Sequence, residues 1–297
     1  MKRFLLLLSL PLLASCAEMQ KYGVGGSFSG GGSSMGDRLK NVDFNKVGKG
    51  VTALRKGVEE ISESEEYYIG RAVSAQILAK YKPWRAEGPN AYAQKVLQAV
   101  ALASDRPNTF KGWHVQLLDS DEVNAFAAPG GFVFLTRGMV KRAKSEDELA
   151  GVLAHEVAHV AKKHGLKTIQ TSRLTSAFTI LGSEAAKSYT PQQVSQLTTA
   201  FEGAVEDVVN KLVTNGYSRD KEYEADRFGA AYAKAANYDP NALKTFLERL
   251  GQDDHGGGMF KTHPAADKRA SELGSLSASA SHKKPSLRQP RFNAALR

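Results

Sequence analysis

Cysteine is almost absent: the chain of 297 residues has one, Cys16. No disulfide can form within the chain, and no Cys-rich zinc module can be built. Beyond the first fifteen residues there is no apolar run long and uncharged enough for a transmembrane helix, which excludes a polytopic membrane protein. Internal repeats are missing as well. Net charge of one sign is small in the body. The 40 Lys+Arg against 31 Asp+Glu give +9, but Lys2 and Arg3 at one end and Lys283, Lys284, Arg288, Arg291 and Arg297 at the other supply seven of those charges, leaving +2. A basic nucleic-acid groove is therefore not expected. With 42% hydrophobic and 24% charged residues the composition is that of a globular protein, not a disordered or collagen-like chain. The length admits one large domain or two small ones.

The first residues read as a targeting signal. Lys2 and Arg3 precede the short apolar run Phe4–Leu13, too short to span a bilayer. The run ends in Leu13-Ala14-Ser15-Cys16, which resembles the lipobox of bacterial lipoproteins. Residues 1–15 are then a lipoprotein signal peptide and Cys16 the lipidated residue. Ala17 in place of Asp after that cysteine leans toward the outer membrane. Two or more acyl chains anchor stably where one does not. Residues 16–45 are the lipidated cysteine and a Gly/Ser-rich tether, half of residues 23–36 being glycine.

The body predicts α+β structure, mostly α. Glu59–Tyr81 and Pro89–Ala103 read as helices, the second with proline in its first turn. Trp113–Leu118, Val123–Ala127 and Phe132–Leu135 are β-rich, with Pro129-Gly130-Gly131 as a turn, giving a sheet of about three strands. From Ser145, with Glu148 three residues on as in a capping box, the chain is helical to about Leu250. A Gly-rich loop and a short helix near Ala265–Leu273 follow. The expected layout is a catalytic domain over 46–274 and a disordered basic tail over 275–297.

Chemistry concentrates in His155-Glu156-Val157-Ala158-His159. On a helix, positions i and i+4 share a face, so two imidazoles can bind one zinc with Glu156 at the metal-bound water. Chance alone would produce H-E-x-x-H in about one such chain in a hundred, and the apolar neighbours Leu149, Val152, Leu153 and Val160 argue for burial, where His and Glu need partners. A catalytic zinc needs a third protein ligand and an open position. The spacing with Gly at 162 and His at 165 is excluded, because Lys162 and Gly165 stand there. His164 reads as a solvated cation at the helix end. Glu184, Glu202, Glu206, Glu222 and Glu224 are candidates for the third ligand. Glu222 is best placed, because Asp226 one turn on can accept the free ring N–H of a ligand histidine.

Four blocks then resemble a known family, the HtpX/BepA/LoiP-type zinc metalloproteases (metallopeptidase family forty-eight). They are Asn124–Gly138, Glu148–His159, Ser218–Asp226, and Thr262-His263-Pro264 with Arg269. The resemblance covers about residues 60–273 and is closest to periplasmic single-domain LoiP-like lipoproteins, since no membrane spans and no tetratricopeptide periodicity are present. It implies a gluzincin-like domain with the small sheet beside the active-site helix. It implies one Zn2+ held by His155, His159 and Glu222, Glu156 as general base, and Asp226 behind the ligands. His263 and Arg269 are implied near the scissile carbonyl, His263 also as a residue that can touch the metal. Asn124, Ala125, Phe126 and Ala127 are implied as the substrate-binding edge strand.

The function expected is a zinc metalloendopeptidase of the cell envelope, cutting unfolded or misassembled envelope proteins, lipid-anchored on the periplasmic face of the outer membrane. Extended peptides adding to an edge strand give loose side-chain specificity, which suits that role. The alternative is a chaperone-like or structural envelope lipoprotein with little turnover, its basic tail on anionic surfaces.

Overall fold

The computed structural model describes residues 61–169, 191–252, 262–263, 266–276 and 287–296. The signal peptide, Cys16, the tether, Glu184 and the glycines at 256–258 lie outside the described residues.

Helix α1, Glu63–Lys80, opens with a full capping box: Ser62 Oγ accepts from the Glu65 amide, and the Glu65 carboxylate accepts from the Ser62 amide. The box places the helix start four residues after the expected Glu59. Helix α2, Glu87–Leu102, follows. Strands β1 (His114–Leu118), β2 (Ala125–Ala128) and β3 (Phe132–Thr136) form the expected three-stranded sheet, in the order β1-β3-β2. β1 pairs with β3 in parallel, and β2 with β3 antiparallel, Phe126 opposite Phe134. The β2–β3 turn needs glycine: Gly130 has φ +79° and Gly131 φ +96°. Buried Glu66 of α1 pins this turn, accepting from the Gly130 amide at 2.8 Å while pairing with Arg106.

Short α3 (Arg137–Arg142) leads into α4, Glu146–Ala161. Ser145 caps α4 through the Glu148 amide, but the Glu148 carboxylate reaches back to the Lys144 amide, one residue before the cap. Every residue from Glu146 to Val160 is buried, the six polar ones included, so each of those needs a partner. The sheet and α2 pack on α4, and so do α6 (Arg219–Ala235) and α7 (Ala242–Gln252). Helix α5 (Pro191–Val209) runs into a π-helical turn, Asn210–Asn215. Helix α8, Ala266–Leu276, packs on α7 and α6. Among the described residues no helix is long and apolar enough to cross a membrane.

The tail departs from expectation. Residues 288–296 form helix α9, with Phe292 fully buried against Tyr92. Arg288 bonds Asp147 at 2.6 Å and Arg291 grips Glu146, both in the first turn of α4. A basic, Ser-rich composition pointed to disorder. The acids that neutralise these arginines lie more than 140 residues upstream, beyond any local reading of composition.

Candidate metal centre

Two helices make the site. α4 carries His155 and His159 on one face, and α6 crosses it with Glu222 and Asp226. The crossing is close because α6 has Gly229 at the contact: a Cβ there would lie 2.9 Å from the His155 amide nitrogen. Without that approach Glu222 and Asp226 would not reach the histidines.

One ligand atom from each of His155, His159, Glu222 and His263 lies within 4.8 Å of the others, all buried. The two Nε2 atoms of His155 and His159 are 3.0 Å apart, and Glu222 stands 3.5 and 3.6 Å from them. His263 Nδ1 is 3.0 Å from Glu222 and 3.3 Å from His155 Nε2. Of the four described carboxylates considered as a third donor, Glu202, Glu206, Glu222 and Glu224, Glu222 is the one in this group. Glu156 is buried beside it, its Oε1 without a hydrogen-bond partner and 3.6 Å from His263 Nε2.

Behind these atoms the partners are tight. Asp226 Oδ1 accepts from His155 Nδ1 at 2.8 Å. Arg269, with no exposed surface, donates to Asp226 through two bonds of 2.6 and 2.7 Å and reaches Glu222 at 3.1 Å. Its guanidinium is thus turned onto two carboxylates. Burial and Arg269 push the His155 imidazole down, but Asp226 and Glu222 outweigh them and hold it at about 9. Burial pushes Glu222 up, but His263 and Arg269 prevail and keep its carboxylate well below the usual range. Glu156 is raised, chiefly by burial. His159 is held well below its ordinary value by burial and by His155.

Imidazole nitrogens converging with an ionised carboxylate, next to an orphaned carboxylate oxygen, are a donor set that fits a divalent cation. Histidine and carboxylate donors suit zinc and other transition ions better than calcium or magnesium.

The structure corrects one sequence reading and adds one residue. His164 is not solvated: it is 1% exposed, its Nδ1 2.8 Å from His159 Nδ1 and its Nε2 3.0 Å from Glu224. Tyr217, overlooked in the sequence, stacks on His159 at 4.4 Å and 18°, its buried hydroxyl without a partner. Its only sequence signal is an aromatic just ahead of α6. Asn124 is buried, its Oδ1 accepting from Thr262 Oγ1 at 2.8 Å, so it ties the start of β2 to the His263 segment. Ala125, Phe126 and Ala127 lie on β2, which has no strand on its outer side among the described residues. All three are no more than 3% exposed, with α4, α1 and the π-helical turn packed nearby.

Comparison with known proteins agrees with this geometry. The model of Peptidase family M48 matches residues 87–277, more than half of the chain. The chain is 32% identical over 181 residues to a putative beta-barrel assembly-enhancing protease of Vibrio cholerae, covering 58% of this chain and 36% of that protein. It is 32% identical over 186 residues to the mitochondrial metalloendopeptidase OMA1 of Schizosaccharomyces pombe, covering 61% and 51%. It is 32% identical over 156 residues to metalloprotease YcaL of Escherichia coli K12, covering 52% and 58%. In each the match spans less than two thirds of the relative. The matched segment holds the two helices, the sheet and all four converging donors, and the chain belongs to peptidase family M48.

Proposed function

We propose that this chain is a zinc-dependent endopeptidase that hydrolyses peptide bonds of unfolded or misassembled cell-envelope proteins. The observation that carries the reading is Glu156: a fully buried carboxylate with an unpartnered oxygen, beside four converging metal donors. His155, His159 and Glu222 would hold the ion, with His263 as a fourth donor at rest. Zinc, when bound, supplies the Lewis acidity that brings the pKa of a water near 7. Glu156 Oε1 takes a proton from the attacking water and passes it to the leaving amine nitrogen. His263 Nε2, 3.6 Å from that oxygen, stands where it can donate to the carbonyl oxygen as charge develops there. Arg269 and Asp226 keep Glu222 and His155 aimed.

The Vibrio relative's name ties that protein to beta-barrel assembly. By that likeness the substrates here are envelope proteins, and an extended peptide would pair along the outer edge of β2. Lipidation at Cys16 would hold the enzyme at the periplasmic face of the outer membrane. The test is zinc content and casein cleavage of the protein beside Glu156→Gln. One zinc in both, with cleavage lowered by 100-fold or more in the variant, is the expected outcome. Equal cleavage by both would refute the base assignment, and absence of zinc from the wild type would refute the metal.

A further inference from the structure

We propose that His164 is a positioning residue for the metal centre: with Glu224 and Lys221 behind it, it sets the ring orientation and tautomer of His159. The inference rests on the metal reading above and deepens it.

The backbone prepares the contact. Helix α4 ends in a Schellman motif, with Lys162 as cap, the Lys163 amide bonded to Val160 O at 3.0 Å and the His164 amide to His159 O at 2.9 Å. The motif places a lysine in the left-handed region, Lys163 at φ +57°, at a cost of roughly 1 kcal/mol. In such motifs an apolar contact usually joins the residue past the turn to the one in the last helical turn. Here that pair is His164 and His159, rings 4.9 Å apart and 75° inclined. The hydrogen bond between their Nδ1 atoms, 2.8 Å, takes the place of the apolar contact.

Proton accounting along the chain leaves one arrangement. Glu224 Oε2 receives Lys221 Nζ at 2.7 Å and faces His164 Nε2 at 3.0 Å. An ionised carboxylate only accepts, so His164 Nε2 carries the proton. In the tautomer with that proton on Nε2, Nδ1 is a lone pair. The one hydrogen in the Nδ1–Nδ1 bond must come from His159. Neutral His159 is left with its lone pair on Nε2, the atom 3.0 Å from His155 Nε2 and 3.6 Å from Glu222. Asp226 does the same for His155 with a carboxylate directly. Tyr217, stacked flat on His159, blocks rotation of the ring out of this plane.

The test is zinc affinity, by competition with a chromophoric chelator, for wild type, His164→Asn and His164→Leu. The asparagine can accept at the place of Nδ1; the leucine fills the space without an acceptor. His164→Leu is expected to bind zinc 10- to 100-fold more weakly, with His164→Asn within a few-fold of wild type. Equal affinity in all three overturns the proposal, and so does an equal loss in both variants, which would mean packing alone. Nitrogen-15 spectra of zinc-loaded wild type need no variant to fold. They are expected to show His159 protonated at Nδ1 and coupled across the hydrogen bond to His164. Protonation of His159 at Nε2 would overturn the inference even with zinc bound. A wild type that binds no zinc would instead refute the metal reading, and with it the premise.

Discussion

Arg269 shows most sharply what a single residue does in this site. The family resemblance implies it near the scissile carbonyl; in the structure it lies between Asp226 and Glu222 with no exposed surface. Two buried carboxylates, on residues 222 and 226, depend on this one guanidinium. Removing one partner of a buried ion pair costs far more than the pair contributes, about 3–5 kcal/mol, because the remaining charge stays buried. Arg269→Ala is therefore expected to lose that much stability in urea unfolding of the metal-free protein. Arg269→Lys should recover only part, since an ammonium cannot make the two parallel bonds to Asp226. A change below about 1 kcal/mol in Arg269→Ala would show that the guanidinium has no such role. At this scale the sequence was legible where spacing is local. His155 and His159 share a helix face, and Glu222 with Asp226 repeats the same i, i+4 logic. His164 was misread because it stands at the helix end, one residue short of the third-histidine spacing and off the face of His155 and His159. Its burial follows from a left-handed turn at Lys163 that side-chain periodicity does not encode. Tyr217 went unseen because a stack on His159 is a contact over 58 positions, made by the crossing of two helices.

That crossing is a property of elements. α4 and α6 approach so closely that residue 229 has no room for a side chain: a Cβ would stand 2.9 Å from His155 N and 3.0 Å from its Cα, both backbone atoms that cannot give way. Gly229→Ala must push α6 outward, carrying Glu222 and Asp226 away from the histidines. The expected cost is about 1–3 kcal/mol of overpacking, with a fall in zinc affinity on top. Gly274→Ala on α8 is the control, because its Cβ would meet only the tip of Lys244, at 3.3 Å. That variant should keep full zinc affinity and gain a few tenths of a kcal/mol or more from helix propensity. Calorimetry and zinc titration of both decide it, and equal zinc affinity in Gly229→Ala would remove the argument. Elements themselves were largely legible. Three strands, the Pro129–Gly131 turn and the helix capped by Ser145 stand where alternation and capping signals put them. Strand order was not, because the parallel pairing of β1 with β3 joins segments separated by β2, and nothing in the residues of β1 names its partner.

At the scale of the whole molecule the C-terminal helix closes the base of α4. Glu146 accepts from Tyr92 at 2.5 Å and Tyr238 at 3.0 Å and is gripped by Arg291, while Asp147 pairs with Arg288. Burial alone would raise the Glu146 carboxyl, but the bonds from Arg291, Tyr92 and Tyr238 outweigh it and hold it below its ordinary 4.5. The sign follows from linkage. A carboxyl with a depressed folded-state pKa contributes stability that is fully present above its unfolded value. That contribution is lost as pH falls through the folded one. The docking of α9 should therefore weaken from about pH 4.5 downward, while neutral and mildly alkaline pH leave it intact. Melting temperatures of wild type and Glu146→Gln between pH 6 and 3 are the check. The variant should start lower, because the arginine loses its charge partner and the buried amide satisfies the cluster poorly. It should then fall less steeply on acidification, so the two curves converge. Parallel curves would mean that Glu146 does not titrate in the folded protein. A truncation ending at residue 286 should behave like the variant. It uncovers the contact of Phe292 with Tyr92, so it should also lose roughly 3–5 kcal/mol at neutral pH, the range for removing a buried phenylalanine. If that truncation melts like wild type at pH 7, α9 is an ornament of the fold and not its base.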